Sequence, residues 1–168
     1  MSHFAALLLG EGSRAARWLV EELDLDECES VDDVIDLIRD FDHPVRVLTV
    51  EQDDEYAVLA RLDLMSDLRN ESIRVFLSNG RAADHYPLAE LFADGLEEIG
   101  GDPLDGDEDA PPAHDAAPFG DPALLVDLGV KEVELIGLAV HERMLPIDLI
   151  VAVCERLGCL DEFEAVRS

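Results

Sequence analysis

Two β-rich runs, Val45 to Glu51 and Tyr56 to Leu62, are separated by only four residues, Gln52-Asp53-Asp54-Glu55. A gap that short can join the runs only as an antiparallel hairpin, because parallel neighbours need a long crossover. Within the second run, Tyr56, Val58, Ala60 and Leu62 share one face. Three further segments carry the same signal. Phe4 to Leu9 is a short apolar run followed by the turn-like Gly10-Glu11-Gly12-Ser13. Arg17 to Leu23 alternates, with Trp18 and Val20 opposite Arg17 and Glu21. Ile73 to Ser78 alternates again, setting Ile73, Val75 and Leu77 against Arg74, Phe76 and Ser78. Together they predict an α+β fold built on a mainly antiparallel five-stranded sheet with one covered face.

Two helices accompany these strands. Ser30 is placed to cap the first, Asp32 and Asp33 suit its positive end, and Arg39 suits its negative end. Val31, Val34, Ile35, Ile38 and Phe41 recur at helical spacing and are expected to pack on the sheet. The second helix is expected near His85, with Pro87 in its first turn and Leu88, Leu91, Phe92 and Leu96 as its apolar stripe.

The composition then changes. Residues 100–120 hold four prolines, six acidic residues and no Lys or Arg, which reads as an extended acidic linker. Beyond it, Asp121-Pro122 reads as a helix start and Gly129 as its stop. Val133, Ile136, Gly137 and Val140 line one face of the next helix. Pro146 opens a third, with Leu149, Ile150, Val153, Cys154 and Leu157 on its inner face and Gly158 after its end. The expected division is a sheet domain over 1–98, a linker over 99–120 and a three-helix segment over 121–168. Three helices are a small core by themselves, and the sequence leaves open whether they dock on the sheet.

With 48% hydrophobic residues the chain can build a core, so its acidity is not a sign of disorder. There are 40 acidic side chains against 12 basic ones, a formal net charge of −28. Such a surface repels phosphate, which argues against direct binding of nucleic acid or anionic membrane, and it steers basic partners inward. Solubility or adaptation of the source explains the same charge; the single lysine, Lys131, beside eleven arginines fits a coding bias. Three cysteines, Cys28, Cys154 and Cys159, without a C-x-x-C fit reduced thiols. The apolar run near the N-terminus is far too short for a signal peptide and no basic region precedes it, so a cytoplasmic location is expected.

A search for reactive constellations finds none, and no catalytic, cofactor or metal site is expected. Glycine-rich phosphate loops are missing. An EF-hand counted from Asp102 fails at Leu104 and Gly106, where oxygen ligands belong. Cys154, Cys159 and His141 lack the fourth ligand that zinc demands. The adjacent His141-Glu142 departs from the H-x-E and P-C-x-x-C pair of zinc nucleobase deaminases. No G-x-S-x-G is present, and in so acidic a chain carboxylate pairs carry no information. The singular segment is SIRVFLSNGRAAD, Ser72 to Asp84, where Arg74 and Arg81 stand out in a chain poor in positive charge and Phe76 shares the Arg74 face. These three are the candidate partner-binding residues; a plain strand and turn with arginines neutralising nearby acids accounts for them as well.

The opening MSHFAALLL, the ELDLDE stretch, RVFLSNGRAA, the acidic Pro-rich stretch, DPALLVDLG and the ending LPIDLIVAVCERLGCLDEFEAVR occur in a familiar order. Together they resemble the bacterial family of tRNA adenosine deaminase-associated proteins over nearly the full length, with Leu64 to Glu71 as an apparent insertion. The resemblance implies a non-catalytic accessory or regulatory role near the deaminase that makes inosine in tRNA, and it brings no catalytic residues to carry over. It implies a protein partner, with the oligomeric state open. An acidic mimic that blocks a nucleic-acid site is one alternative. A small enzyme with an unrecognised site is another; it requires a concave pocket with convergent polar groups.

Overall fold

Period-two patterning in the N-terminal half becomes one continuous antiparallel sheet. The computed structural model describes residues 3–10, 18–41, 43–64, 71–100, 118–141 and 144–167, with backbone alone at 63–64, 71–72 and 94–100. Strands β1 (His3–Gly10), β2 (Trp18–Leu23), β3 (Val45–Gln52), β4 (Tyr56–Leu64), β5 (Glu71–Leu77) and β6 (Phe119–Gly120) lie in the order β2-β1-β3-β4-β5-β6. The expected hairpin is β3–β4, with Val50 opposite Val58 and Gln52 opposite Tyr56. The Gly10–Ser13 turn after Gly10, Arg17, and positions 65–70 of the apparent insertion lie outside the described residues.

The sheet has six strands where five were expected. The extra one, β6, pairs Phe119 and Gly120 with Leu77 and Phe76, at the end of the stretch read as linker. Gly120 has φ +109°, and a Cβ on it would lie 2.1 Å from the Val75 carbonyl oxygen, so only glycine fits this approach. Gly100, at the other end, closes α2 (Pro87–Gly100); positions 101–117 lie outside the described residues.

The larger difference is that both faces of the sheet are covered. On one, α1 (Val31–Arg39) and α2 bury Leu7, Leu48, Val58, Val75 and Phe92. Helix α1 forms as its sequence predicts. Val31, Val34, Ile35 and Ile38 are buried, and the Asp33 carboxylate accepts from the Glu29 and Ser30 amides at 2.9 and 3.2 Å. A 3₁₀ turn, Gly80–Asp84, precedes α2, whose buried residues include Ala89 and Ala93 beside Phe92. The Leu96 side chain lies outside the described residues.

On the other face, Ala6, Leu8, Val47, Leu59 and Phe76 pack against the C-terminal elements through Leu124, Leu125, Ile150, Val153 and Phe163. A strand buried on both faces shows a continuous apolar run in place of alternation. Phe4 to Leu9 is such a run, and six of the eight residues of β1 are buried. The docking that the sequence left open is therefore made, through a second apolar core.

The C-terminal elements are α3 (Glu132–Val140), α4 (Pro146–Leu157) and α5 (Leu160–Arg167). Helix α4 follows its expected pattern, with Leu149, Ile150, Val153, Cys154 and Leu157 buried and Gly158 in the left-handed region at φ +92°. The helix expected from Pro122 is instead a set of turns ending in a 3₁₀ turn, Val126–Leu128. Six residues between Pro122 and Gly129 are too few for a stable α-helix, and Leu124, Leu125 and Leu128 reach the core from the turns instead. Three α-helices nonetheless form here, because α5 arises after Gly158 and brings Phe163 edge-on to Phe4 at 5.8 Å.

Candidate partner-binding surface

The three residues singled out in β5 and the turn after it do not assemble into one exposed patch. Phe76 is 1% exposed beneath the C-terminal elements, so from its place it meets no outside molecule. Arg74 shares its face, lies 3.9 Å from Asp121 and is partly shielded. Arg81 is exposed at the start of the Gly80–Asp84 turn, where its amide donates to Asn79 Oδ1 at 3.0 Å. Arg61, directly opposite Arg74 across β4 and β5, belongs to the same group and has no signal in the sequence. Its guanidinium donates to both oxygens of Asp127 at 2.5 and 2.9 Å and to the Leu124 carbonyl at 2.9 Å. Hydrogen bonds from Arg61 hold the Asp127 carboxyl below the usual carboxylate range. Two arginines facing each other would repel on a bare sheet; here Asp121 and Asp127 supply the opposite charge and tie the C-terminal segment down.

The thiols and the imidazole nearest to acids are built for structure. Cys154 and Cys159 are fully buried, and the Cys154 thiol is pushed up by its hydrogen bond with Cys159 and by burial. Cys28 lines a cleft of about 670 Å³ with His3, Asp26 and Gln52. Its thiol is pushed up by burial and then by Asp33, Asp24 and Glu27, the reverse of what a thiolate nucleophile or ligand needs. His3, Asp24 and Asp26 offer ligand atoms within 4.8 Å of one another. However, His3 Nε2 accepts from the Leu25 amide at 3.3 Å, and Nδ1 points at Asp26 at 3.5 Å. Both ring nitrogens of His3 are thus engaged within the protein, and the residue clamps the loop after β2.

An apolar surface stands elsewhere. The face of α3 that the sequence marks turns to solvent: Val133 is 75% exposed, Ile136 39% and Val140 57%. Leu135 is the buried residue of this helix. Leu145, just before α4, is 50% exposed. Of the six large apolar side chains exposed among the described residues, these are four, so the exposure is concentrated and not scattered. Gly137 sits on the same face, and a Cβ added there would meet nothing within 4 Å.

Leu145 also lines a cleft of about 310 Å³, together with Leu138, Met144, Asp54, Glu55, Ser78 and Asn79. Those acids come from the β3–β4 turn, where Asp53 and Asp54 both have positive φ, +54° and +58°. Primed hairpin turns demand that conformation and favour Asn-Gly or Asp-Gly for it. The turn is held by the Asp54 amide donating to Glu51 Oε1 at 2.8 Å. Burial, foremost, raises the pKa of Glu51. Crowded negative charge on a left-handed turn thus lines a largely polar cleft, which Ser78 and Asn79 also line.

No helix among the described residues is long and apolar enough to cross a membrane. No curated protein and no solved structure matches the chain. A family model, described as Rv3753c-like tRNA adenosine deaminase-associated protein, matches residues 4–160, which takes in every strand and helix from β1 to α4. The chain therefore belongs to the Rv3753c-like family of tRNA adenosine deaminase-associated proteins.

Proposed function

We propose that this chain is a non-catalytic accessory protein that binds a tRNA adenosine deaminase in the cytoplasm and modulates its encounter with tRNA. The observation that carries the reading is the family's description as deaminase-associated, joined to a formal net charge of −28. An enzyme that binds tRNA presents a basic surface, and an acidic body is steered onto it at rates that fall with salt. Direct binding to tRNA is disfavoured by like charge. The occupied imidazole of His3 and the raised thiols of Cys28 and Cys154 support a binding role over a catalytic one.

Co-elution of the purified chain with the deaminase from the same source, at low and at high salt, is the test. A complex at low salt that weakens as salt rises is expected; absence of a complex at low salt overturns the reading. Adding tRNA to the complex separates two modes. Displacement by tRNA means the chain occupies the tRNA site as an acidic mimic, whereas a ternary complex means it docks beside that site.

A further inference from the structure

The bare face of α3 is costly to the isolated chain. Apolar side chains at 133, 136 and 140 remain in water. Gly137 lowers helix propensity in the middle of a nine-residue helix with no close neighbour to require it. A small residue on an exposed apolar ridge is useful when another backbone must come close. The cleft that Leu145 also lines adds a second, independent feature: the carboxylates of Asp54 and Glu55, of which Asp54 holds a left-handed conformation that a glycine would adopt more easily. A carboxylate kept at the expense of turn stability has a use in its charge.

We propose that the ridge of Val133, Ile136, Gly137 and Val140, continued by Leu145, is the docking face for an apolar helix of a cationic protein whose basic flank meets Asp54 and Glu55. Charge selects this occupant. A second copy of the chain would bring another body of net charge −28 against the same acidic wall, and like charges at contact distance oppose that pairing. A basic partner gains at both parts of the surface: its apolar side chains cover the ridge, and its lysines or arginines meet the acidic turn. The proposal rests on the reading of the chain as a partner-binding protein and adds where, and by what chemistry, the partner is held.

Two probes test it: the purified deaminase, and a synthetic amphipathic peptide with leucines on one helical face and arginines on the other. Two variants report on the two halves of the site. Gly137→Leu fills open space, so α3 is retained and the melting temperature does not fall, while a close-packed helix is pushed away. Asp54→Gly suits the turn, so stability is retained while one charge leaves the wall. The expected result is at least tenfold weaker peptide binding by Gly137→Leu at salt high enough to screen the overall charge. For Asp54→Gly the expected loss is about threefold with a shallower salt dependence. Equal binding of the peptide by wild type and Gly137→Leu, or no binding by wild type, overturns the docking face. A wild-type dimer that Gly137→Leu converts to monomer overturns it in favour of a second copy. The deaminase separates the two claims. If it binds wild type and both variants alike, the accessory role stands and the ridge does not; if it never binds while the peptide discriminates, the ridge stands and the deaminase is the wrong partner.

Discussion

Each face of the sheet closes over an apolar core, but by different means. The α1/α2 face is closed by helices near the strands in sequence, and its core is assembled from Leu, Val, Ile, Ala, Tyr and Phe. The C-terminal face is closed by elements that arrive after residue 118, and it combines an apolar core with the Arg61–Asp127 and Arg74–Asp121 pairs. Among the described residues, neither α1 nor α2 carries a large exposed apolar side chain. The second carries α3, whose apolar side points away from the molecule. The difference separates a face that finishes the fold from one that finishes it and still offers something to bind.

The strongest test of this comparison is to cut one large side chain from each core. Phe92 and Phe163 are both fully buried, one on each face, so Phe92→Ala and Phe163→Ala are each expected to cost about 3–5 kcal/mol. Urea unfolding followed by far-UV circular dichroism and by Trp18 fluorescence reads the outcome. One shared transition in both variants means the faces unfold together. A separate early transition in Phe163→Ala alone would mean the C-terminal elements are a detachable lobe over an independently stable sheet domain.

Removing the charge that anchors the second face is expected to have a smaller effect. Asp127→Asn weakens a charge-assisted pair to a nearly buried guanidinium, and with the carboxylate side chain about half exposed the expected loss is about 1–2 kcal/mol. The sign with pH follows from the lowered pKa of Asp127. The stabilisation is complete above the ordinary Asp value of about 4 and is lost as pH falls through the lower folded-state value. The stability gap between wild type and variant should therefore close in strongly acid solution. A gap that persists unchanged would show that packing, not the ion pair, makes the anchor.

A surface pair on the first face provides the low end. Arg39 and Asp36 meet at 2.9 Å on α1, each more than half exposed, and Arg39→Ala is expected to cost only about 0.3–0.5 kcal/mol. A loss as large as that of Asp127→Asn would erase the distinction between solvated and anchoring pairs.

Local rules made much of the first face, and one helix of the second, readable. The stripe of α1, the acids at its start, the β3–β4 hairpin and the Pro146 and Gly158 boundaries of α4 each depend on neighbours within a few residues, and each stands where its pattern predicts. The second face was harder to read. Arg74 stands out in the sequence and Phe76 shares its face, but the sequence does not say what covers that side of β5; the elements that do so begin more than forty residues later. Arg61 carries no signal in the sequence, because an arginine in a strand has no meaning until its carboxylate is known. The apolar spacing of α3 was plain, but periodicity identifies a face without saying whether that face turns inward.

Hydrophobic patterning and turn chemistry, acting over a few bonds, were enough to determine an acidic α+β chain with an antiparallel sheet, its leading helix and its hairpin. Tertiary structure alone decided that the sheet has two cores, that Arg61 of β4 is an anchor and that α3 keeps its apolar ridge in water. Those outcomes follow from which distant segments compete for the same buried area, and a helix left over when both sheet faces are filled has nowhere else to place its apolar side.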